Sequence, residues 1–191
     1  MGLKLITAPT LFPVTLRQAK VHLNVDGNES DAVIEEKIGA ATDLAEGELN
    51  RLLLPQVWEL ALPCFPGGDI DLMQAPVLEI ISIKYIDTAG VEQTLDPIDY
   101  SLDNYGVRHW AVTNFGRLWP IARQTPNAVK IQYRAGYADV ESVPLSIKQW
   151  ILMVIATWFQ VREGVIIGTI IQELPDNFMS ALLNRYRIRR F

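Results

Sequence analysis

The sequence predicts an α+β fold, in which a small helical bundle carries an inserted, mostly antiparallel β unit and ends in a C-terminal helical arm. Apolar residues recur at helical spacing before residue 55 and again after residue 143. Residues 56–136 are instead rich in β-branched and aromatic residues and are divided by turn-forming Gly, Pro and Asn. We therefore divide the chain into an N-terminal helical part (1–55), a β insertion (56–136), and C-terminal helices with a basic arm (137–191), which together form one compact domain.

The N-terminal part contains two predicted helices. Thr15 and Gln18 have the spacing of a capping box, which predicts a short helix over about 16–23. After a polar loop, a second helix continues to the residues before Pro55, because proline disfavours helical geometry in the residue that precedes it. This helix has one apolar face and an acidic opposite face. The apolar face comprises Ile34, Ile38, Ala41, Ala45, Leu49 and Leu52.

The insertion contains four predicted strands. Its clearest strand is 128–136, where Val129, Ile131 and Tyr133 alternate with polar residues as a half-buried strand requires. The other three span residues 56–62, 79–87 and 91–95. Short runs with Gly, Pro and Asn between them indicate turns, so neighbouring strands are expected to pair in an antiparallel way.

The C-terminal part begins with a helix whose first turn accommodates Pro144. Its apolar arc is so wide that we expect it to be buried against more than one neighbour, including an adjacent subunit. The interface hypothesis names Ile147, Ile151, Val154, Ile155, Trp158 and Phe159. The apolar segment 165–171 is an ambiguous connector, and Pro175 starts a final basic helix that extends to about Arg189.

Composition restricts the class of protein. Hydrophobic residues make up 49% of the chain and charged residues 20%, as in a globular protein with a substantial core or interface. The net charge of −5 disfavours a dedicated nucleic-acid binder. Cys64 is the only cysteine, so no internal disulfide can form. The longest apolar run, 150–159, is too short to cross a bilayer, and we predict no membrane association.

No pattern of catalytic residues is present. We interpret the two histidines, His22 and His109, as structural, and the carboxylate pairs as solvated or turn residues. Gly67 and Gly68 form a turn and not a phosphate-binding loop, because the surrounding P-loop pattern is missing. The sequence therefore predicts no catalytic, cofactor or metal site, and no enzyme.

Charge is distributed unevenly along the chain. The second helix is acidic, and Glu35, Glu36, Asp43 and Glu46 fit an ordinary solvated surface. The C-terminal arginines allow three interpretations: a solvated helix end, a docking surface for an acidic protein, or DNA phosphate contacts. The docking hypothesis names Arg185, Tyr186, Arg187, Arg189, Arg190 and Phe191.

Several segments in a fixed order resemble the head-tail connector family of tailed bacteriophages and prophages, whose members act as adaptor or head-completion proteins. The segments are PVTLRQAKVHL, the acidic helix DAVIEEKIGAATDLAEGELNRLL, the β segment beginning QVWELALPCFPGGDIDL, and AVKIQYRAGYADVESVPLSIKQWILMVIATWFQVRE. The resemblance weakens after about residue 164, where it supports only a helical arm.

The resemblance implies a structural subunit and not an enzyme. Such proteins form a homo-oligomeric ring, commonly twelve-fold, beneath the portal protein, where they extend the DNA channel and present the platform for tail attachment. Glu35, Glu36, Asp43 and Glu46 are then candidates for lining that channel, where they would repel DNA phosphates, and an ordinary solvated surface is the alternative. The implied partners are other copies of the chain, the portal, and the tail or next neck protein, while genomic DNA passes through without specific binding. The implied location is the virion neck, assembled in the bacterial host cytoplasm. Another neck or tail-completion protein, or a small nucleic-acid-binding module, is the alternative.

Overall fold

The computed structural model describes residues 1–160 and 181–188 and confirms an α+β fold. The helices are α1 (Leu16–Leu23), α2 (Asp31–Leu49) and α3 (Leu145–Gln160), and residues 181–184 are also helical. The strands are β1 (Gly2–Thr7), β2 (Gln56–Leu62), β3 (Ile70–Asp71), β4 (Val77–Ile86), β5 (Glu92–Thr94), β6 (Tyr100–Asp103), β7 (Trp110–Thr113) and β8 (Val129–Ala135). The chain divides into a β unit, residues 1–9 and 54–138, and a helical unit, residues 10–53 with the described residues from 139 onward.

The β unit is built on a five-stranded antiparallel sheet in the order β1-β2-β8-β4-β5. Strand β8 lies at its centre, and the predicted alternation is confirmed because Val129, Ile131 and Tyr133 have no exposed surface. The Tyr133 hydroxyl donates a hydrogen bond to the Leu72 carbonyl. A second, three-stranded sheet has the order β3-β7-β6.

The opening residues do not belong to the helical part as predicted. Residues 2–7 form β1, which pairs with β2 from Gly2 opposite Ala61 to Thr7 opposite Val57. The assignment of these residues to the helices is therefore wrong. The physical reason is that β1 is stabilised by a partner strand fifty or more positions later in the sequence, which local patterns do not report.

The predicted capping box at the start of α1 is confirmed. The Gln18 amide donates to Thr15 Oγ1 over 3.2 Å, and the Thr15 amide donates to Gln18 Oε1 over 2.9 Å. Helix α2 ends earlier than predicted, because Asn50 adopts left-handed geometry with φ of 52° and ends the helix before Pro55 is reached. In α2 the predicted apolar face is buried at Ile34, Ile38, Ala41, Ala45 and Leu49.

We expect Ile151→Ala to destabilise the protein by about 2–5 kcal/mol, because it removes a fully buried side chain and leaves a cavity in the helical unit. Leu145→Ala in the same helix is the control, since Leu145 is 80% exposed and its loss should cost less than about 0.5 kcal/mol. Urea unfolding of the two variants measures the difference. Equal losses would contradict the assignment of Ile151 to the core.

Asp139 fixes the turn that precedes α3 and gives a pH prediction. Its Oδ1 accepts hydrogen bonds from the Ser142 hydroxyl and the Ser142 amide, both at 2.7 Å. These bonds, with a smaller attraction from Lys148, hold the pKa of Asp139 below its usual value. A lowered pKa in the folded state means that the contribution to stability is present above the unfolded pKa, about 3.9, and is lost as the pH falls through the folded pKa.

Asp139→Ala should therefore be less stable than the parent chain at pH 7, and the difference should shrink as the pH falls below about 4. Denaturant unfolding at pH 7 and pH 3 measures this. The control is Glu141→Ala, which removes an equal charge from an exposed neighbour. A difference between Asp139→Ala and the parent that stays constant with pH would contradict the proposed role of the carboxylate.

Candidate interaction surfaces

The C-terminal segment lies against the end of α2. Leu183 and Ile188 are buried, so this segment is part of the helical unit's core. The Ile188 amide donates to the Leu49 carbonyl over 2.9 Å, and Asn50 Nδ2 donates to the Ile188 carbonyl over 3.1 Å. Residues 183–188 therefore satisfy backbone groups that α2 leaves unpaired at its C-terminus.

The arginine-rich hypothesis falls partly on this segment. Arg187 Nε donates to the Glu48 carbonyl over 2.8 Å, and its guanidinium forms an ion pair with the Glu48 carboxylate. The Arg185 guanidinium lies 5.9 Å from the centre of the Tyr186 ring. Arg187 thus places a positive charge at the C-terminus of α2, where the helix dipole favours it. Arg189, Arg190 and Phe191 lie outside the described residues.

The proposed channel-lining acids do not form one uniform group. Glu35, Glu36 and Asp43 are exposed on α2. Glu46 is partly buried, and its Oε1 accepts a hydrogen bond from the Leu53 amide over 2.7 Å, so its carboxylate stabilises the turn after the helix. Glu36 and Asp43 are separated by two helical turns and therefore share a face. Three of the four acids remain available to line a channel.

The predicted interface on α3 is largely core. Ile147, Ile151 and Ile155 have no exposed surface, and Val154 is also buried. The interface assignment is wrong for these four residues, because a side chain that is already covered within the subunit has no surface for a neighbour. Trp158 and Phe159 are only partly buried, and they stay as interface candidates.

Sequence patterns missed the most exposed apolar residues, which lie in loops of the β unit. Tyr105 and Phe115 are fully exposed, and Leu118 and Ile121 are at least 80% exposed. These residues follow short strands that carry weak sequence signals, which is why the pattern of apolar residues alone did not separate them from core positions. Exposed apolar residues that occur together usually mark a protein contact.

One part of this surface is held by a network around Asn114. The Asn114 amide donates to the Asp99 carbonyl over 3.0 Å, and Asn114 Nδ2 donates to the Ile98 carbonyl over 2.8 Å. The Arg117 amide closes a turn onto the Asn114 carbonyl at 2.9 Å, and the Arg117 side chain pairs with Asp99 at 3.3 Å. The network therefore holds three exposed side chains at one end of the three-stranded sheet. We call Ile98, Phe115 and Leu118 the apolar turn.

The histidine that is buried has a structural role. His109 Nδ1 accepts a hydrogen bond from the Val77 amide over 2.7 Å.

Within residues 1–160 and 181–188, no three His, Cys, Asp or Glu side chains group in a way that could bind a metal ion. Among the helices in those residues, none has the length and apolar character needed to span a bilayer.

Comparisons with known proteins give both a sequence match and a fold match. The sequence model of the family described as "Phage gp6-like head-tail connector protein" matches residues 13–94, from the start of α1 to β5. No curated protein matches the chain.

Three solved chains share 23% identity with this one, and each alignment covers all of this chain and 97% of the other. They come from the neck of an empty GTA particle computed with C6 symmetry (TM-score 0.80), the virion of a native gene transfer agent particle (0.79), and the neck of a native GTA particle computed with C12 symmetry (0.70). At this identity the solved chains show a shared fold, and the sequence match shows a similarity that is confined to residues 13–94. Over residues 13–94 the chain is therefore similar in sequence to phage head-tail connector proteins, and over its whole length it shares a fold with the neck chains.

Proposed function

We propose that the chain is a structural adaptor subunit that joins the head of a tailed phage to its tail. The apolar turn is the observation that carries this proposal, because the hydrogen bonds of Asn114 hold Phe115 and Leu118 in solvent instead of letting them fold inward. Exposing such side chains is unfavourable unless another protein covers them. A joining subunit must offer surfaces of this kind to its partners.

The first partner is the chain itself, in a ring that is commonly twelve-fold in proteins of this kind. Two similar chains come from necks computed with C6 and C12 symmetry, which supports a ring without fixing its subunit number. The ring would lie beneath the portal, extend the DNA channel, and offer the apolar turn to the tail or to the next neck protein. Trp158 and Phe159 are the remaining candidates for subunit contacts on α3.

DNA would pass through this ring without specific binding. The exposed acids Glu35, Glu36 and Asp43 suit a lining that repels phosphates, as does the net charge of −5. Arg185 and Tyr186, with Arg189, Arg190 and Phe191, are the candidates for contact with an acidic portal surface. Arg187 is already paired with Glu48, so a portal contact through Arg187 would have to replace that ion pair.

The proposed role involves no turnover and no cofactor, and the site of action is the virion neck, assembled in the host cytoplasm. Imaging of particles that carry a tagged copy of the chain tests it. We expect the label between portal and tail, and we expect particles without the chain to contain heads that lack tails. A label on the tail tube or baseplate would instead favour a tail-completion protein, and intact tailed particles without the chain would refute the proposal.

A further inference from the structure

The five-stranded sheet has an open edge at β1. Among residues 1–160 and 181–188, this strand is terminal in the sheet and pairs only with β2. Its six residues are mostly exposed, and Leu5 and Ile6 each expose at least 40% of their surface. An exposed edge with apolar side chains is a ready template for another strand, and soluble proteins usually protect such edges.

A second open edge lies on β4. Strand β5 pairs with β4 only at Lys84, Tyr85 and Ile86. In the described part of the chain, no strand pairs with residues 78–82 on the side away from β8. Leu78 and Ile81 on this stretch each expose more than a third of their surface. The same sheet therefore offers two edges that face in opposite directions.

The direction of the strands makes these two edges complementary. All pairings along β1-β2-β8-β4 are antiparallel, so β1 runs opposite to β4. A second copy related by rotation about an axis along the strands would therefore bring its β1 beside β4 in an antiparallel orientation. The lengths also agree, because β1 has six residues and the open stretch of β4 spans 78–82.

We propose that β1 of one subunit adds to the open edge of β4 in the next subunit and joins the two sheets. Both edges carry exposed aliphatic residues, and Lys4 on β1 is exposed. Glu79 on β4 is also exposed, and its Oε1 pairs with Arg134 Nη1 over 3.0 Å, so a contact with Lys4 would share or replace that ion pair. This contact is heterologous, so its repetition closes a ring when the rotation permits. The inference rests on the ring assembly proposed above and names the surface that forms it.

Irregularities in both strands favour a second copy over an unrelated strand. The pairing of β4 with β8 shifts register at Leu78 and again at Ile81, and the pairing of β1 with β2 shifts at Ile6. Bulges discourage pairing with an arbitrary flat strand, which protects a free subunit from aggregation. A second copy supplies an edge that is short and irregular in the same way.

Disulfide crosslinking in purified particles tests the contact. In a Cys64→Ser background, Lys4→Cys or Leu5→Cys is combined with Glu79→Cys or Ile81→Cys. Residues opposite each other in an antiparallel pair have Cα atoms about 4.5–5.5 Å apart, within the range that a disulfide spans. In the combination whose two cysteines lie opposite each other, oxidation should link most copies of the chain into oligomers of three or more, which appear as a ladder of bands. The single variants Lys4→Cys and Glu79→Cys are the controls, since one cysteine per chain cannot extend beyond a dimer.

The outcomes separate this inference from the proposed function. Thermal unfolding first verifies that each variant keeps the parent's fold. A chain located at the neck that forms no ladder with any combination overturns the β1–β4 contact and leaves the adaptor role intact. Ladders from a purified chain that imaging does not find at the neck support the contact and overturn the adaptor role.

Discussion

Gly136→Ala is expected to destabilise the protein by about 3 kcal/mol or more, the largest loss of any single methyl addition we foresee. Gly136 follows β8 with φ of +125°, a conformation that residues with a side chain rarely adopt. A Cβ at this position would overlap the Leu54 carbonyl and lie 2.8 Å from Pro55 N. Both neighbours are backbone, so the strain cannot be relieved by rotating a side chain.

The Gly136 amide also donates to the Pro76 carbonyl over 2.7 Å, so a shift of this residue would disturb the ends of β4 and β8 together. Gly116→Ala is the matched control, because Gly116 has φ of +75° but no atom within 4 Å of an added Cβ. Gly116→Ala should lower the free energy of unfolding only by the cost of placing alanine at a positive φ, about 1–2 kcal/mol. Urea unfolding compares the two, and equal losses would show that contact with the Leu54 carbonyl is unimportant.

Replacing the apolar turn should have the largest effect on assembly. Phe115→Ser with Leu118→Ser should leave the free energy of unfolding within about 0.5 kcal/mol of the parent, because both side chains are at least 89% exposed in the subunit. If a partner covers them, their loss should cost roughly 2 kcal/mol or more per contact, which corresponds to at least a tenfold loss of affinity. Tailed particles should fall by at least that factor.

Electron microscopy counts tailed and tailless particles and so measures assembly. Denaturant unfolding of the purified variant measures the stability of the subunit, so the two effects can be separated. Val91→Ser is the control, since Val91 is also an exposed aliphatic residue of the β unit but lies outside the apolar turn. Normal tail counts in the double variant would contradict the role of the apolar turn. A large loss of stability would instead show that Phe115 and Leu118 stabilise the fold of the subunit.

The features that sequence analysis predicted correctly depend on neighbouring residues. The capping box of Thr15 and Gln18 closes within three positions, and the alternation of β8 needs only its own residues to separate a buried from a more polar face. The resemblance to head-tail connectors also follows from an order of segments, and the family match over residues 13–94 agrees with it.

The features that were missed depend on distant residues. Strand β1 exists because β2 pairs with it, and the three-stranded sheet is assembled from strands of two to four residues with little pattern of their own. The α3 side chains show the same limit in reverse. Their wide apolar arc correctly indicated burial. Periodicity alone could not show whether these side chains are buried within their own subunit or against another one.

The amino-acid sequence by itself determined the α+β class, the capped start of α1, the buried face of α2 and the resemblance to the connector family. Only the tertiary structure decided which apolar residues face solvent, which edges of the sheet stay open, and that Arg187 contacts the end of α2. The physical reason is that periodicity records how a residue alternates within its own element. Exposure, strand pairing and ion pairs depend on which distant segments the folded chain brings alongside that element.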